Sequence, residues 1–228
     1  MALLSAEKVG FIYHSKYQRV EALKDICCSF EEGKLYAIIG PSGSGKTTLL
    51  SLLAGLDTPS CGIIRYRGQD LSKMDRDGYR RRDASVIYQS FNLFPLLTAE
   101  ENVMYPLELN GVKKAQARSE ADSLLAEVDL PEKIRRQFPG MMSGGEQQRV
   151  AIARALAMKG KLLLADEPTG NLDTANGRIV LSLLKKLVRE QNYCVILITH
   201  DMNIAAEADE RCRIRDGRLT VEPAGGNS

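Results

Sequence analysis

Histidine and cysteine are scarce: the 228 residues hold two of the first, His14 and His200, and five of the second, with no CxxC pair. A zinc site of thiolates and imidazoles therefore lacks its ligands, and an odd set of thiols suits a reducing compartment better than a disulfide scaffold. Charge of one sign is missing too. Thirty-one Lys and Arg against 29 Asp and Glu leave +2, far from the basic excess of an electrostatic nucleic-acid binder, so nucleic acid is not an expected partner. No run approaches the roughly 20 apolar residues needed to cross a bilayer. Met1-Ala2-Leu3-Leu4-Ser5-Ala6-Glu7-Lys8 also lacks the basic flank and long apolar stretch of a signal peptide. A cytoplasmic chain without its own transmembrane segment is expected, and any action at a membrane then requires another chain that crosses it. There is no internal repeat, low-complexity segment or long linker, and only Pro223-Ala224-Gly225-Gly226-Asn227-Ser228 reads as a frayed tail. What is present, 44% hydrophobic and 26% charged residues, suffices for one large domain or a domain with a subdomain.

Val9, Phe11 and Tyr13 alternate with less apolar neighbours, as does Gly62-Ile63-Ile64-Arg65-Tyr66-Arg67-Gly68, predicting half-buried strands in a small antiparallel sheet at the N-terminal side. Leu35-Tyr36-Ala37-Ile38-Ile39 is continuously apolar and ends at Gly40, with helical composition over residues 48–54. Leu162-Leu163-Leu164-Ala165 and Cys194-Val195-Ile196-Leu197-Ile198 predict strands buried on both faces, as a parallel sheet demands. Between them Ile179, Val180, Leu183, Leu184, Leu187 and Val188 recur at helical spacing, which makes a strand, helix, strand crossover. From residue 90 to 160 strand signals vanish. Ala121, Leu124, Leu125 and Val128 fit one helix face, and Val150, Ala153 and Ala157 fit another. The expectation is a single domain, residues 1–228, in which an α/β core with its β subdomain (residues 1–89 and 161–222) receives a helical subdomain (residues 90–160).

Between the first apolar strand and the helix lies Gly40-Pro41-Ser42-Gly43-Ser44-Gly45-Lys46-Thr47-Thr48. Its glycines let successive N–H groups turn to one concavity, and the helix that follows adds its positive end, an anion nest in the required strand, loop, helix context. Lys46 supplies a full charge near β- and γ-phosphates, and the Thr47 hydroxyl suits Mg²⁺. Asp166-Glu167-Pro168 closes the second strand. Such a pair often only solvates a strand end, but downstream of a phosphate loop Asp166 is suited to support Mg²⁺ through water and Glu167 to polarise the attacking water. His200 follows the next strand. Alone it reads as a solvated loop residue; beside Asp166 it can donate a hydrogen bond to transferring oxygens. Gln89, after Ser85-Val86-Ile87-Tyr88, is either a polar strand end or an amide that ligates Mg²⁺ or holds the water, linking nucleotide state to the insertion. Far downstream, Ser143-Gly144-Gly145 opens an alanine-rich helix, so a hydroxyl, backbone N–H groups and a helix N-terminus make a second phosphate-binding surface, the alternative being a plain N-cap.

In this order and over essentially the whole length, these runs resemble the nucleotide-binding subunit of an ATP-binding-cassette transporter. Residues 40–48 match the family's Walker A loop, Gln89 its Q-loop, Ser143-Gly144-Gly145-Glu146-Gln147 its signature, Leu162-Leu163-Leu164-Ala165-Asp166-Glu167 its Walker B strand, Asn171-Leu172-Asp173 its D-loop and His200 its switch histidine. Tyr13, in preference to Tyr17, matches the aromatic residue that stacks on adenine. The resemblance implies an α/β fold with a P-loop NTPase (RecA-like) core and an ATPase that uses ATP and Mg²⁺. Lys46, Gln89, Glu167 and His200 would be catalytic, and Thr47, Gln89 and Asp166 would hold metal. Tyr13, Gly40, Ser42, Gly43, Ser44, Gly45, Lys46, Thr47, Thr48, Ser143, Gly144, Gly145, Glu146 and Asp173 would bind nucleotide. It further implies a head-to-tail homodimer around two Mg-ATP and a separate integral membrane permease, with the subunit peripheral at the inner face of the cell membrane. The family usually reads Leu-Ser-Gly-Gly-Gln where this chain has Met142-Ser143-Gly144-Gly145-Glu146. Methionine preserves the apolar volume. Glu146 followed by Gln147-Gln148-Arg149 resembles the lipoprotein-releasing and macrolide-exporting branch.

Residues 90–107 are rich in apolar and aromatic side chains that read equally as core or as the groove for a permease helix. Arg80-Arg81-Arg82 reads as a solvated helix face, with acidic lipid headgroups as the other reading. The resemblance extends to macrolide, lipoprotein and antimicrobial-peptide export or extraction. An amino-acid importer, a cell-division ATPase and a soluble ATP-dependent mechanoprotein are the alternatives.

Overall fold

The computed structural model describes residues 2–14 and 18–222. Tyr17 and the tail from residue 223 onward lie outside the described residues. Strand β1 (Leu4–His14) forms at the expected place, but burial falls from Val9 through Phe11 to Tyr13 instead of alternating, because the register shifts along this stretch; it pairs antiparallel with β2 (Arg19–Phe30), which the sequence pattern does not reveal. The reason is a bulge. Asp25 stands at φ 52 where the register shifts, so Leu23 and Ile26, at an odd spacing, are both fully buried.

Then come β3 (Leu35–Ile39), α1 (Lys46–Leu53), β4 (Cys61–Tyr66), the short β5 (Gln69–Asp70), α2 (Arg76–Arg82) and β6 (Ala84–Tyr88). Three helices follow without a strand: α3 (Ala99–Leu109), α4 (Lys114–Glu127) and α5 (Gly144–Leu156). The chain returns to the sheet with β7 (Leu162–Asp166), α6 (Thr174–Gln191), β8 (Cys194–Ile198), α7 (Met202–Ala206), β9 (Glu210–Arg215) and β10 (Arg218–Glu222). One antiparallel sheet has the order β2-β1-β4-β5; the other runs β10-β9-β3-β8-β7-β6, parallel throughout except for β10.

The apolar runs divide their side chains between two cores. Leu162, Leu164, Cys194 and Ile196 pack with Leu4, Phe30 and Leu49 under the antiparallel sheet, while Leu163, Ala165, Val195 and Leu197 pack with the α3–α6 side. Each Leu, Ile, Val and Phe among them contributes about 1.5–3 kcal/mol by its full burial, and burial on both faces explains why these strands lack polar alternation. On α6, Val180, Leu183, Leu184, Leu187 and Val188 are buried, but Ile179 is 43% exposed and lies off the stripe. Of the α2 arginines, Arg81 and Arg82 are exposed as a solvated face would have them, whereas Arg80 donates to the Gly55 carbonyl and pairs with Asp77.

Parallel register brings the carboxyl ends of four strands together. Ile38 and Asp166 both pair with Ile198, and Tyr88 pairs with Asp166. Residues 40, 89, 166–167 and 199–200 thus emerge at one sheet edge, where open α/β sheets bind ligands. Among the described residues no helix is long and apolar enough to cross a membrane.

Candidate functional site

The loop after β3 is shaped by glycines whose backbone other residues resist. A Cβ at Gly40 would collide with the carbonyl of Ile214. At Gly45, φ is 108 and a Cβ would lie 2.6 Å from the Ala22 carbonyl oxygen. Gly45 is also the N-cap of α1 and brings no side chain to that helix start, so the first-turn N–H groups face the loop. Lys46 is buried, its Nζ donating to the carbonyls of Gly40 and Pro41, each at 2.9 Å. The Ser44 hydroxyl is buried without a hydrogen-bond partner, whereas Ser42 and Gly43 form the exposed tip.

Thr47 Oγ1 donates to Asp166 Oδ2 at 3.2 Å, tying the loop to the end of β7. Tyr13, 48% exposed, packs edge-on against Phe11 and hydrogen-bonds through its hydroxyl to Thr48 Oγ1 at 3.1 Å. Tyr13 and the loop line an open cleft of about 460 Å³ together with residues absent from the sequence-based set: Ala22 and Lys24 of β2, and Asp216 and Gly217. The latter two form the β9–β10 turn at φ 51 and 78. Gly217 N–H donates to the Ser44 carbonyl and its own carbonyl accepts from Lys24, so this turn clamps the loop to β2. Its Asp-Gly dipeptide between two alternating runs is a hairpin signal that finds it from sequence.

Burial pushes the Asp166 carboxyl above its usual range; the Thr47 hydrogen bond and Lys46 oppose this, and the Glu167 charge adds to it. Glu167 stands at φ 47, a left-handed conformation that costs a non-glycine residue about 1–3 kcal/mol. It is held there by N–H donation to the Ile198 carbonyl and by a bond from Gly170 N–H, each 3.0 Å. Its Oε2 lies 3.1 Å from His200 Nδ1, on a largely exposed imidazole. Gln89 and Asn171 bond reciprocally: Gln89 Nε2 donates to Asn171 Oδ1 at 3.2 Å and Asn171 Nδ2 to the Gln89 carbonyl at 3.0 Å. A Cβ at Gly170 would sit 2.7 Å from Gln89 Nε2 and 3.3 Å from Glu167 Oε2, so the glycine lets amide and carboxylate approach.

Ser143, Gly144, Gly145, Glu146 and Asp173 form a second cluster on the starts of α5 and α6. Ser143 and Glu146 close a capping box: Glu146 Oε2 accepts from the Ser143 amide at 2.7 Å and its hydroxyl at 2.8 Å, and Ser143 Oγ accepts from Glu146 N–H at 3.3 Å. Burial raises the Glu146 carboxyl, but Ser143's hydroxyl and amide, with Arg149 and Lys133, outweigh it and hold the group below the usual range. Glu and Gln both complete such a box, which accounts for Glu146 in the Gln position. Asp173 caps α6, accepting from Asn176 N–H and from its side-chain amide. A Cβ at Gly145 would collide with Asn176, so the two helix starts touch. Of the apolar residues 90–107, Ala99, Val103, Met104 and Leu107 are core, while Phe94, Tyr105 and the 86% exposed Leu96 are surface.

The Thr47 hydroxyl, Asp166 carboxylate and Gln89 amide offer hard oxygen donors, and the raised Asp166 carboxyl is one that a cation would stabilise. Among the described residues no three His, Cys, Asp or Glu converge as a protein cage. Both features fit Mg²⁺, which binds through one or two carboxylates and substrate phosphates.

The profile of the ABC transporter family matches residues 23–170. The chain is 41% identical over 222 residues to the uncharacterized ABC transporter ATP-binding protein YclH of Bacillus subtilis (strain 168), covering 97% of both chains. To the macrolide export ATP-binding/permease protein MacB of Photorhabdus laumondii subsp. laumondii it is 43% identical over 221 residues, 96% of this chain and 34% of that protein. It thus spans about a third of that relative's length. Among solved structures, the ATP-binding cassette MJ0796, in a dimeric post-hydrolysis state bound to ADP and Pi, superposes with a TM-score of 0.90 at 35% identity, covering 98% of this chain and all of that one. Likeness of this extent in both sequence and fold places the chain in the ABC transporter family, as an ATP-binding subunit with ATPase activity.

Proposed function

We propose that this subunit binds Mg-ATP at the 40–48 loop, dimerises head to tail so that the signature of each copy closes the site of the other, and passes that closure to a membrane-spanning permease. The observation that carries the reading is the pair of contacts at the sheet edge, Thr47 with Asp166 and Glu167 with His200. Lys46 and the loop amides hold the β- and γ-phosphates, exchanging the Gly40 and Pro41 carbonyls for phosphate oxygens. Tyr13 stacks on adenine. Thr47, Gln89 and Asp166 would hold Mg²⁺, which would supply positive charge to offset that of the nucleotide's phosphates. Glu167 takes the proton of the attacking water, and His200, which it orients through Nδ1, donates to the transferring oxygens. Ser143, Gly144 and Gly145 of the second copy present the N-terminus of α5 to the γ-phosphate, with Glu146 holding that terminus in shape and Asp173 ordering the adjoining helix.

Two ligand-binding helix starts on one chain argue for a second copy. The dimer of the similar cassette MJ0796 supports this. In this reading residues 90–160 form a subdomain that carries the signature, on a core of residues 1–89 and 161–222. The exposed Phe94, Leu96 and Tyr105, in the segment that follows Gln89, favour a docking surface for a permease, with the subunit peripheral at the inner membrane face. The similarity to macrolide export proteins favours export or extraction of a drug, peptide or lipoprotein.

Glu167→Gln tests the assignment: ATP binding is retained and turnover falls by about 10²–10⁴, the scale of a lost acid/base group. ATP-dependent dimerisation, followed by light scattering, persists in that variant. Turnover near wild type would remove Glu167 from the mechanism. Co-purification of a permease from membranes supports the transport role, and recovery of only soluble nucleic-acid or assembly factors would favour a mechanoprotein.

A further inference from the structure

The signature-bearing helix α5 meets the loop after Gln89 at both ends: the Arg154 guanidinium bonds its carbonyls, and the Phe91 ring lies against Gly144, where an added Cβ would be 3.5 Å from its Cζ. Phe91 and Asn92 stand at φ 62 and 48, two consecutive left-handed residues of which neither is glycine. Asparagine tolerates this conformation, and phenylalanine rarely adopts it. The turn's own backbone bonds are short-range, Phe91 N–H to the Tyr88 carbonyl at 3.2 Å and Asn92 N–H to the Ser90 carbonyl at 2.6 Å. Arg154, near the end of α5, supplies the long-range restraint: one terminal nitrogen donates to the Asn92 carbonyl at 2.6 Å and the other to the Phe91 carbonyl at 3.2 Å. The same group lies 5.9 Å from the centroid of the Phe94 ring. The fork reaches the two carbonyls from two different nitrogens fixed in one plane, whereas an ammonium would have to bring both bonds to a single atom. On the other side of the turn, Gln89 is locked to Asn171 by the reciprocal bonds described above. Beside the apolar packing of Phe91 on Gly144, the hydrogen-bonded path from α5 to the Gln89 amide runs through Arg154 and a strained turn.

We propose that Arg154 is a positioning residue that holds the Phe91–Asn92 turn in its left-handed form, so that the stance of α5 sets the placement of the Gln89 amide. This rests on the metal-facing role given to Gln89 under the proposed function. A rotation of α5 would pull both carbonyls through the fork, and the turn, unfavourable without that restraint, would relax and carry Gln89 with it.

The test uses the full chain. In Arg154→Ala, the Mg²⁺ concentration for half-maximal turnover rises about 10-fold or more, the scale of a lost partner behind a metal ligand, while ATP affinity without metal stays at the wild-type value. Amide hydrogen exchange accelerates over residues 90–94 and not over residues 46–53. Adding Asn92→Gly, which adopts the turn without strain, or low-millimolar guanidinium lowers the Mg²⁺ requirement again. Arg154→Lys, which keeps the charge but replaces the rigid two-nitrogen fork with one nitrogen on a shorter side chain, gives an intermediate shift, and it carries the test if the alanine variant does not fold. Gln89→Ala separates the two ideas. If it raises the Mg²⁺ requirement but the Arg154 variants keep wild-type requirement and exchange, the positioning role is overturned and the site stands. If Gln89→Ala leaves the requirement unchanged, the reading of Gln89 fails and the role of Arg154 falls with it.

Discussion

Helix α1 begins behind Gly45, which has φ 108 and contributes no side chain to the first N–H groups, whereas α5 begins behind Ser143, whose hydroxyl and whose partner Glu146 close a reciprocal capping box. The carboxylates nearby differ in the same sense. Asp166, tied to the α1 loop, is pushed above its usual range by burial, while Glu146 is held below it by the bonds from Ser143. Near α1 the Ser44 hydroxyl is buried without a partner, and Lys46 turns onto its own loop's carbonyls. The start of α1 thus keeps one hydroxyl without a partner and a cation held by neutral carbonyls alone, and the start of α5 completes itself. A polar group left without a partner costs stability in the fold, whereas a capped helix start has satisfied donors within its own first turn.

Gly45→Ala is the most severe way to break the comparison. The new Cβ would have to adopt a left-handed φ and approach the Ala22 carbonyl, so a loss of about 2–3 kcal/mol in thermal unfolding is expected. ATP binding, measured by fluorescent-nucleotide titration, is abolished. An alanine variant that binds ATP normally would show that the loop geometry is not required.

Asp166→Asn sharpens it in both directions. Turnover falls by about 10² or more, as for a lost catalytic electrostatic group, yet without nucleotide the variant melts higher than wild type at neutral pH. The sign follows from the raised carboxyl: ionisation is less favourable in the fold than in the unfolded chain, so the charged form costs stability above the folded pKa. As pH falls below about 4, where wild type is protonated in both states, the advantage of Asn disappears. A lower melting temperature at neutral pH would overturn this account.

Glu146 gives the smallest effect. Glu146→Ala opens the capping box and costs about 1 kcal/mol of stability, while Glu146→Gln keeps the box and loses only the charge at the helix start, about 0.3–1 kcal/mol. The folded carboxyl is depressed, so its contribution is complete above the unfolded pKa and is lost as pH falls through the folded value. Melting curves of wild type and the Gln variant should therefore converge in acid. Equal stabilities at pH 7 would mean that the charge contributes nothing.

Much of this was legible from residue order. Strands β3 and β8 coincide with uninterrupted apolar runs because burial on both faces leaves no room for polar alternation. Strand β2 was hidden because the Asp25 bulge breaks the two-residue period that identifies a strand. Strands β9 and β10 carry a period-two pattern around Cys212 and Ile214 and the Asp216-Gly217 turn, a signal overshadowed by the longer apolar runs. The residues 40–48, Asp166, Glu167 and His200 announce themselves through chemistry at strand ends. The reciprocal pairing of Gln89 with Asn171, and the reach of Arg154 to Phe91 and Asn92, do not.

By itself the sequence determined which groups are available: a glycine loop that only one backbone shape accommodates, a carboxylate pair after a buried strand, and a Ser-x-x-Glu start to α5. Those features are local, decided by φ/ψ sterics and by side chains a few positions apart. Only the tertiary structure decided which groups meet. Thr47 with Asp166, Glu167 with His200 and α5 with the Gln89 loop depend on parallel register and helix packing between segments far apart in the chain, which no local pattern encodes.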